Sequence, residues 1–140
     1  MTAATAKEIV MELIRRMDEG DDSAIDDLIA EDMVNHAAAP QGRAGWKYIL
    51  EVIDHDLADV TTEHHAFIGE GDLVAHRMTM YGTHRASAMP LWFDAPVTGA
   101  RVSWPYIHIW RTHNGQIVEH WACRDDMELL TALGVWTPRT

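Results

Sequence analysis

The sequence predicts an α+β domain in which three helices precede a mainly antiparallel sheet. Apolar residues recur at helical spacing up to about residue 57, whereas β-branched and aromatic residues are dense from about residue 61 onward. The dipeptide Asn114-Gly115 separates the two richest runs and is a typical hairpin turn. Elements in this order pack as helices on one face of a sheet, so we predict one domain over residues 1–140.

Three helices are predicted in the N-terminal half. The first begins at Thr5, which with Glu8 matches a capping box, and ends at Gly20. Its inward face is indicated by apolar residues at helical spacing: Ile9, Val10, Leu13, Ile14 and Met17. A short second helix begins at Ser23. The third helix carries a similar stripe: Trp46, Ile49, Leu50, Ile53 and Leu57.

The C-terminal half has the pattern of a sheet. Strands are predicted over residues 62–69 and 72–84, with a glycine-rich turn between them. A brief extended segment at 33–36 precedes them in the chain. A short helix that begins near Asp125 and runs through Leu133 closes the domain.

The candidate site is built on the hairpin of residues 101–126. Side chains alternate between the faces of a strand, so one face of the first strand collects Trp104, Tyr106, His108 and Trp110. On the second strand the set that shares a face is Val118, His120, Ala122 and Arg124. Aromatic rings, histidines and an arginine on one face predict the wall of a ligand pocket.

The length of the turn decides whether these two sets meet. A two-residue loop of Asn114-Gly115 puts His108 opposite Trp121 and leaves His120 on the other face. A three-residue loop moves the register by one, so that His108 faces His120. The other pairs of that register are Tyr106 with Ala122 and Trp104 with Arg124. We favour the three-residue loop because it brings all the candidates to one surface.

Composition restricts the function classes. The chain is 47% hydrophobic and carries a net charge of -11 with neutral histidines, which disfavours nucleic acid and anionic membranes as partners. No apolar run approaches the roughly 20 residues of a membrane-spanning helix, and the N-terminus lacks the layout of a secretory signal. The single cysteine, Cys123, predicts a reducing, cytoplasmic location. The predicted partners are a hydrophobic small molecule and a second copy of the chain.

The histidine content raises the question of a metal site. The sequence has no HExxH motif, and His64 and His65, adjacent on a strand, point to opposite faces. Neither Ser103 nor Cys123 lies in a recognisable nucleophile motif. We therefore predict no metal and no covalent intermediate.

Four short motifs occur in order along nearly the whole chain: Met33-Val34-Asn35-His36, Val74-Ala75-His76-Arg77, Gly82-Thr83-His84, and Glu119-His120-Trp121-Ala122 with Arg124-Asp125-Asp126. In order and spacing they resemble the SnoaL-like polyketide cyclases, also called ester cyclases, of the nuclear-transport-factor-2-like superfamily. The resemblance implies a cone-shaped α+β barrel, in which three N-terminal helices pack on a curved, mainly antiparallel sheet that encloses an apolar cavity. It also implies a homodimer.

The reaction that the resemblance implies is an intramolecular aldol closure of an aromatic polyketide ester, without metal or cofactor. A carbon between carbonyl groups loses a proton, and the enolate attacks a ketone. By carry-over, His108 and His120 would polarise carbonyls or relay the proton, and Asn35 would orient the substrate. The resemblance also favours the three-residue turn, because family members hold the matching histidines in the cavity.

One position departs from the family pattern. In characterised cyclases an aspartate that serves as acid and base follows the tryptophan of Glu-His-Trp, and this chain has Ala122 there. The nearest replacement is His120, and Asp126 is the other candidate. The catalytic candidates are therefore His108, His120 and Asp126, and the substrate-binding candidates are Asn35, His76, Trp104, Tyr106, Trp110 and Arg124.

Each candidate also has a structural interpretation. His108 and His120 are compatible with core histidines bonded to backbone carbonyls, and Asp126 is compatible with a helix cap. Arg124 is suited either to clamp a substrate oxygen or to stack on Trp104. The alternative functions are a non-catalytic ligand-binding or dimeric interaction module, which the missing aspartate favours, and an isomerase or epoxide hydrolase on the same fold.

Overall fold

The structure is a computed structural model that describes residues 2–92, 94–137 and 139. It contains four α-helices: α1 (Ala6–Asp18), α2 (Ser23–Leu28), α3 (Gly42–Asp56) and α4 (Asp126–Ala132). It contains five strands: β1 (Ile29–Asn35), β2 (Leu57–Glu70), β3 (Leu73–His84), β4 (Arg101–His113) and β5 (Gln116–Arg124). One turn of 3₁₀-helix, Pro90–Trp92, lies between β3 and β4. The predicted α+β class is confirmed.

Helix α1 is fixed by its cap and by its apolar stripe. The Thr5 hydroxyl accepts the Glu8 N–H at 3.1 Å, and the Glu8 carboxylate accepts the Thr5 N–H at 3.1 Å. The predicted capping box is therefore confirmed, and such a cap contributes about 1 kcal/mol. On the opposite side, Val10 and Leu13 are completely buried in a cluster that includes inner-face residues of β3 and β4. This burial holds α1 across the sheet.

The sheet is curled but not closed. Its strand order is β1-β5-β4-β3-β2, with β1 parallel to β5 and the other neighbours antiparallel. Register shifts interrupt the β1–β5, β2–β3 and β4–β5 pairings, and bulges of this kind bend strands and increase their twist. Within the described residues β1 and β2 do not pair with each other, so the concave face stays accessible at one side.

The turn between β4 and β5 has two residues. Asn114 and Gly115 have φ values of 49° and 79°, which a type I′ turn requires, and His113 pairs directly with Gln116. The predicted three-residue turn is therefore wrong. Asparagine and glycine tolerate positive φ, so the tighter loop forms without strain.

A bulge in β5 nevertheless brings the two histidines together. Val118 is inserted between paired neighbours and shifts the register by one residue. As a result, His108 is opposite Ala122, and Trp110 is opposite His120. The predicted pairs across the hairpin are wrong: His108 with His120, Tyr106 with Ala122, and Trp104 with Arg124. The two histidines still occupy one face, because the bulge restores what the shorter turn would have reversed.

Two clusters of buried side chains lie between the helices and the sheet. One lies beneath α1 and α2 and includes Trp46 and Trp110. The other contains Trp92, Trp104 and Leu129 and is covered by α4. None of the helices in the described ranges is both long and apolar enough to cross a membrane.

Asp56, at the end of α3, anchors the loop before β4. Its buried carboxylate accepts hydrogen bonds from the backbone N–H groups of Ala88 at 3.1 Å and Met89 at 2.8 Å. It also accepts hydrogen bonds from the indole N–H of Trp92 and, at 2.8 Å, from Nδ1 of His55. Burial alone raises the pKa of Asp56, but these donors outweigh it and the pKa is lowered. The charged carboxylate therefore has a structural role.

Candidate active site

Helix α3 and the concave face of the sheet enclose a cavity of about 300 Å³. Most of the side chains that line it are apolar, and four of its polar side chains are imidazoles: His64, His76, His108 and His120. A mostly apolar pocket with a few convergent polar groups is the usual form of a small-molecule site. We divide the imidazoles into two relays, each defined by its hydrogen bonds.

The first relay consists of Asn35, His120 and His108. Asn35 ends β1 and is in register with His120 on β5, while His108 lies on the neighbouring β4. The Asn35 Oδ1 atom is 2.9 Å from Nδ1 of His120, and Nε2 of His120 is 2.8 Å from Nδ1 of His108. All three residues are at least nine-tenths buried.

The hydrogen bonds of the first relay determine its tautomers. The Ala37 N–H donates to Asn35 Oδ1 at 3.0 Å, which fixes the orientation of the amide. Because Oδ1 only accepts, His120 carries its proton on Nδ1, and its Nε2 then accepts the Nδ1–H of His108. This leaves a lone pair on Nε2 of His108, which forms no hydrogen bond with any described residue.

Burial keeps this relay uncharged. Burial, with a smaller contribution from His120, lowers the pKa of His108 well below its ordinary range. Burial, with a contribution from His36, lowers the pKa of His120 to about 4. Both rings are therefore neutral at neutral pH, as the tautomer assignment requires. Burial also raises the pKa of Tyr106, so its phenol stays protonated.

The second relay consists of Asp18, His64 and His76. Nε2 of His64 is 2.7 Å from Asp18 Oδ2, and Nδ1 of His64 is 2.9 Å from Nε2 of His76. When His64 is neutral its proton lies on Nε2 beside the carboxylate, and His76 donates its Nε2–H to His64. Burial, followed by His64 and His120, lowers the pKa of His76 to about 3. The Nδ1 atom of His76 is buried and has no partner in the described part of the chain.

The two relays end side by side. His76 on β3 and His108 on β4 are directly opposite each other, and their rings stack with centroids 5.4 Å apart. Phe67 stacks on His76 at 4.3 Å, and Tyr106 stacks on His108 at 5.1 Å. The stacking aligns the planes of the two imidazoles.

Several hydrogen-bond donors at the cavity have no partner among the described residues. They are Nδ2 of Asn35 and the indole Nε1 atoms of Trp46 and Trp110, all of which are buried. The Tyr106 hydroxyl likewise forms no hydrogen bond with described residues. A buried donor without a partner destabilises a protein by about 1–3 kcal/mol.

Seven of the predicted site residues line the cavity: Asn35, His76, Tyr106, His108, Trp110, His120 and Arg124. Trp104 and Asp126 do not; Trp104 belongs to the neighbouring core cluster, and its indole N–H donates to Asp126 at 2.9 Å. Asp126 also pairs with Arg124 at 3.1 Å, and the helix cap is formed by Asp125, which accepts the Glu128 N–H at 3.0 Å. These contacts explain Asp126 without a catalytic role.

Sequence reasoning did not identify Asp18, His64 or Trp46 as site residues. Val60, Thr62 and His64 are two residues apart along β2 and therefore lie on one face of the strand, which is the face that lines the cavity. This spacing was the signal for His64 in the sequence. Asp18 follows the apolar stripe of α1, but its contact with His64 depends on how α1 docks against β2. That docking is a long-range property which local patterns do not contain.

Comparison with known proteins gives the chain a family. A family model described as SnoaL-like polyketide cyclase matches residues 8–133. The chain belongs to this family. No curated protein matches it.

Solved structures support the SnoaL-like assignment. IdmH from Streptomyces antibioticus, a candidate polyketide cyclase, is 28% identical, with a TM-score of 0.78 over 94% of this chain and 100% of that one. AclR from Streptomyces galilaeus, a candidate hydroxylase, is 27% identical, with a TM-score of 0.79 over 95% of this chain and 87% of that one. An NTF2-like protein from Burkholderia thailandensis is 19% identical, with a TM-score of 0.74 over 94% and 98% of the two chains, and shows a shared fold.

In this SnoaL-like chain the position after Trp121 is a cavity-lining alanine, Ala122. The carboxylates that line the cavity, within the described ranges, are those of Asp18 and Asp54. Those ranges contain no group of three or more histidine, cysteine, aspartate or glutamate side chains arranged to hold a metal ion.

Proposed function

We propose that this SnoaL-like protein catalyses cofactor-free proton transfer on a hydrophobic, oxygen-rich substrate, leading to intramolecular aldol ring closure. One observation carries the proposal. The Asn35–His120–His108 relay fixes a free lone pair on Nε2 of His108 at a mostly apolar cavity. A positioned neutral imidazole in such a cavity is suited to accept a proton from carbon.

In the proposed reaction, His108 Nε2 takes a proton from a carbon that lies between two carbonyl groups. His108 can then pass its Nδ1 proton towards His120, whose own Nδ1–H remains bonded to Asn35, so the positive charge spreads over two rings. The Tyr106 phenol, kept protonated by its raised pKa, is available to donate to the developing enolate oxygen. The enolate carbon attacks a ketone of the same molecule and closes the ring.

The relatives favour this reaction class over other proton transfers. The matching family model describes polyketide cyclases, and IdmH, at 28% identity, is a candidate polyketide cyclase. Unpaired donors of Asn35, Trp46 and Trp110 match a substrate rich in carbonyl oxygens. Polyketide esters have the aromatic surface and the spaced carbonyl groups that such a cavity would bind.

The proposal is tested with a methyl benzoylacetate that carries an acetonyl chain ortho to its acyl group. Aldol closure of this probe and loss of water give a fluorescent hydroxynaphthoate, and deuterium uptake at its acidic carbon in D₂O reports proton removal separately. We expect the wild type to accelerate both, and His108→Gln to lower both by about 100-fold, because a general base contributes about 10²–10⁴.

Asp126→Asn is the matched control, because this carboxylate lies outside the cavity. We expect it to keep both rates within about two-fold of the wild type. The proposal fails if the wild type accelerates neither rate, or if His108→Gln retains both.

A second candidate is a non-catalytic binder of the same class of ligand. Ala122 favours it, because β5 brings no carboxylate to the cavity, and isomerase or epoxide-hydrolase chemistry would need the same missing acid. Quenching of the cavity tryptophans by the probe, without deuterium uptake or ring closure, would support this alternative.

We also propose a cytoplasmic homodimer formed through the outer face of the sheet. An apolar row crosses four strands there in register: Ile68, Ala75, Ile109 and Trp121. Ile68 is 67% exposed and Ile109 is 38% exposed, and exposed apolar rows of this kind mark contact surfaces. We expect light scattering to give a dimer for the wild type and a monomer for Ile109→Glu; a monomeric wild type would exclude this interface.

A further inference from the structure

The second relay connects the cavity with the protein surface. Asp18 and His64 border the cavity on one side and, on the other, an outer depression that Glu8, Glu12 and Arg15 also line. The Asp18 side chain is 43% exposed and that of His64 is 20% exposed, whereas His76 is buried at the inner end. The relay therefore runs from solvent to the edge of the ring that stacks on His108.

The number of protons on His64 determines whether Nδ1 of His76, at the inner end of the relay, carries a proton or a lone pair. With neutral His64, His76 donates its Nε2–H outward and its Nδ1 is a lone pair. With a second proton on His64, the His64 Nδ1–H donates to His76 Nε2, and the His76 proton then lies on Nδ1. The loaded relay thus presents an N–H donor at the buried Nδ1 atom of His76, which lacks a partner among the described residues.

Charged groups lie on the outer side of His64. Asp18 contacts it at 2.7 Å, whereas in the outer depression Glu12 pairs with Arg15 at 2.7 Å and Glu8 accepts the Thr5 N–H. Thr62, the other polar contact of His64, is uncharged. A carboxylate in contact with an imidazole stabilises a positive charge on that ring by Coulomb attraction.

From this geometry we infer that Asp18, His64 and His76 form an acid relay, which protonates the oxygen formed when the ring closes. The inference rests on the proposed function and deepens it. His76 is the group that contacts the substrate, and His64 and Asp18 act through it. Contact with Nδ1 of His76 requires a tilt of the ring about its outer torsion, which is soft in histidine.

The proposed step is balanced in protons and electrons. His108 takes the proton from carbon, and the His108–His120 pair holds it until it returns to solvent after the product leaves. The electron pair left on that carbon forms the new C–C bond. The π electrons of the attacked ketone move to its oxygen, which takes the proton from Nδ1 of His76. His76 regains a proton on Nε2 from His64 Nδ1, and neutral His64 remains beside the Asp18 carboxylate until solvent reloads it.

The other carboxylate at the cavity does not compete for this role. Asp54 is exposed, and its side chain makes no hydrogen bond to a histidine in the ranges that the structure describes. The first relay ends in an amide, which cannot neutralise a cation. Asp54→Asn is therefore the matched control for Asp18→Asn: the same change of charge at the same cavity, away from the relay.

The experiment measures the two rates of the acetonyl benzoylacetate probe with full-length wild type, Asp18→Asn, His64→Gln, Asp18→Glu and Asp54→Asn. We expect Asp18→Asn and His64→Gln to lower kcat for ring closure by roughly 10- to 100-fold, with KM and deuterium uptake within about two-fold of the wild type. Asp18→Glu should recover part of the loss, and Asp54→Asn should change neither rate.

Two results would overturn the inference. One is ring closure at the wild-type rate in Asp18→Asn. The other is an equal loss of deuterium uptake and ring closure, which would mean that the relay only supports the fold. A wild type that accelerates neither rate overturns the proposed function instead.

If the wild type accelerates neither rate, imidazole ¹⁵N NMR of the ligand-free protein still tests the hydrogen bonds of the relay. We expect wild-type and Asp54→Asn protein to carry a His64 proton on Nε2 and a hydrogen bond at Nδ1, and Asp18→Asn to lose this pattern. A His64 ring protonated only on Nδ1 in the wild type would refute the relay.

Discussion

Each relay contains two hydrogen-bonded histidines, and the two relays differ in the residue that completes them. Ring nitrogens are 2.8 Å apart in the first relay and 2.9 Å apart in the second. The first ends in the amide of Asn35, which is 3% exposed, and the second ends in the carboxylate of Asp18, whose side chain is 43% exposed. An amide orients a neutral imidazole, whereas a carboxylate also stabilises a charged one. The proposed base and the proposed acid are therefore two versions of one structural unit, which differ in the group at its end.

The largest expected effect comes from breaking the first relay at its centre. His120→Phe keeps a ring of similar shape but removes the acceptor for the His108 Nδ1–H, so the tautomer of His108 is no longer fixed. We expect kcat for ring closure and deuterium uptake to fall together by about 100-fold. His113→Phe is the control, because His113 is exposed at the hairpin turn and does not line the cavity. Wild-type rates in His120→Phe would remove the distinction between the relays.

A smaller effect is expected on stability at low pH. The pKa values of His76 and His120 are about 3 and about 4, below the value of about 6.5 in an unfolded chain. The unfolded state therefore binds more protons below pH 6.5, so the stability from these rings is complete above that pH and is lost as pH falls towards their folded values. Each ring should account for about 1.4 kcal/mol per pH unit in that window.

Urea unfolding at pH 7, 6 and 5 measures this loss. We expect His76→Phe and His120→Phe each to flatten the pH dependence of the unfolding free energy relative to the wild type. His113→Phe should leave the slope unchanged, because His113 is exposed at the hairpin turn, away from the buried rings. Unfolding free energies that run parallel in all four proteins would mean that the buried rings do not hold their low pKa values.

The order of the elements was predictable because local patterns determine it. The Thr5–Glu8 capping box and the alternation of buried and exposed side chains along β4 both appear in the structure. The hairpin register was not predictable, because it depends on a bulge at Val118 that no sequence signal marks. The predicted three-residue turn is wrong, although His108 and His120 do lie on the same face as predicted.

The candidate site was predictable only where it lies on one hairpin. His108 and His120 come from adjacent strands and could be grouped by alternation. Asp18 and His64 come from a helix and a strand that meet through packing, so their contact at 2.7 Å has no local signature. Asp126 is the opposite case. The alternation of side chains along the hairpin predicted that it lies in the cavity, but hydrogen bonds with Trp104 and Arg124 hold it outside.

Because of the bulge in β5, the faces on which the side chains of this hairpin lie depend on the number of residues between the turn and His120. Because a strand repeats every two residues, an insertion or deletion of one residue between Gly115 and His120 exchanges the faces of everything up to Arg124, whereas a change of two preserves them. Val118 supplies the odd residue that matches this two-residue turn to this arrangement of side chains. Loop length and strand length can therefore vary in this hairpin only in compensating pairs, so that an added turn residue is tolerated where the bulge is lost.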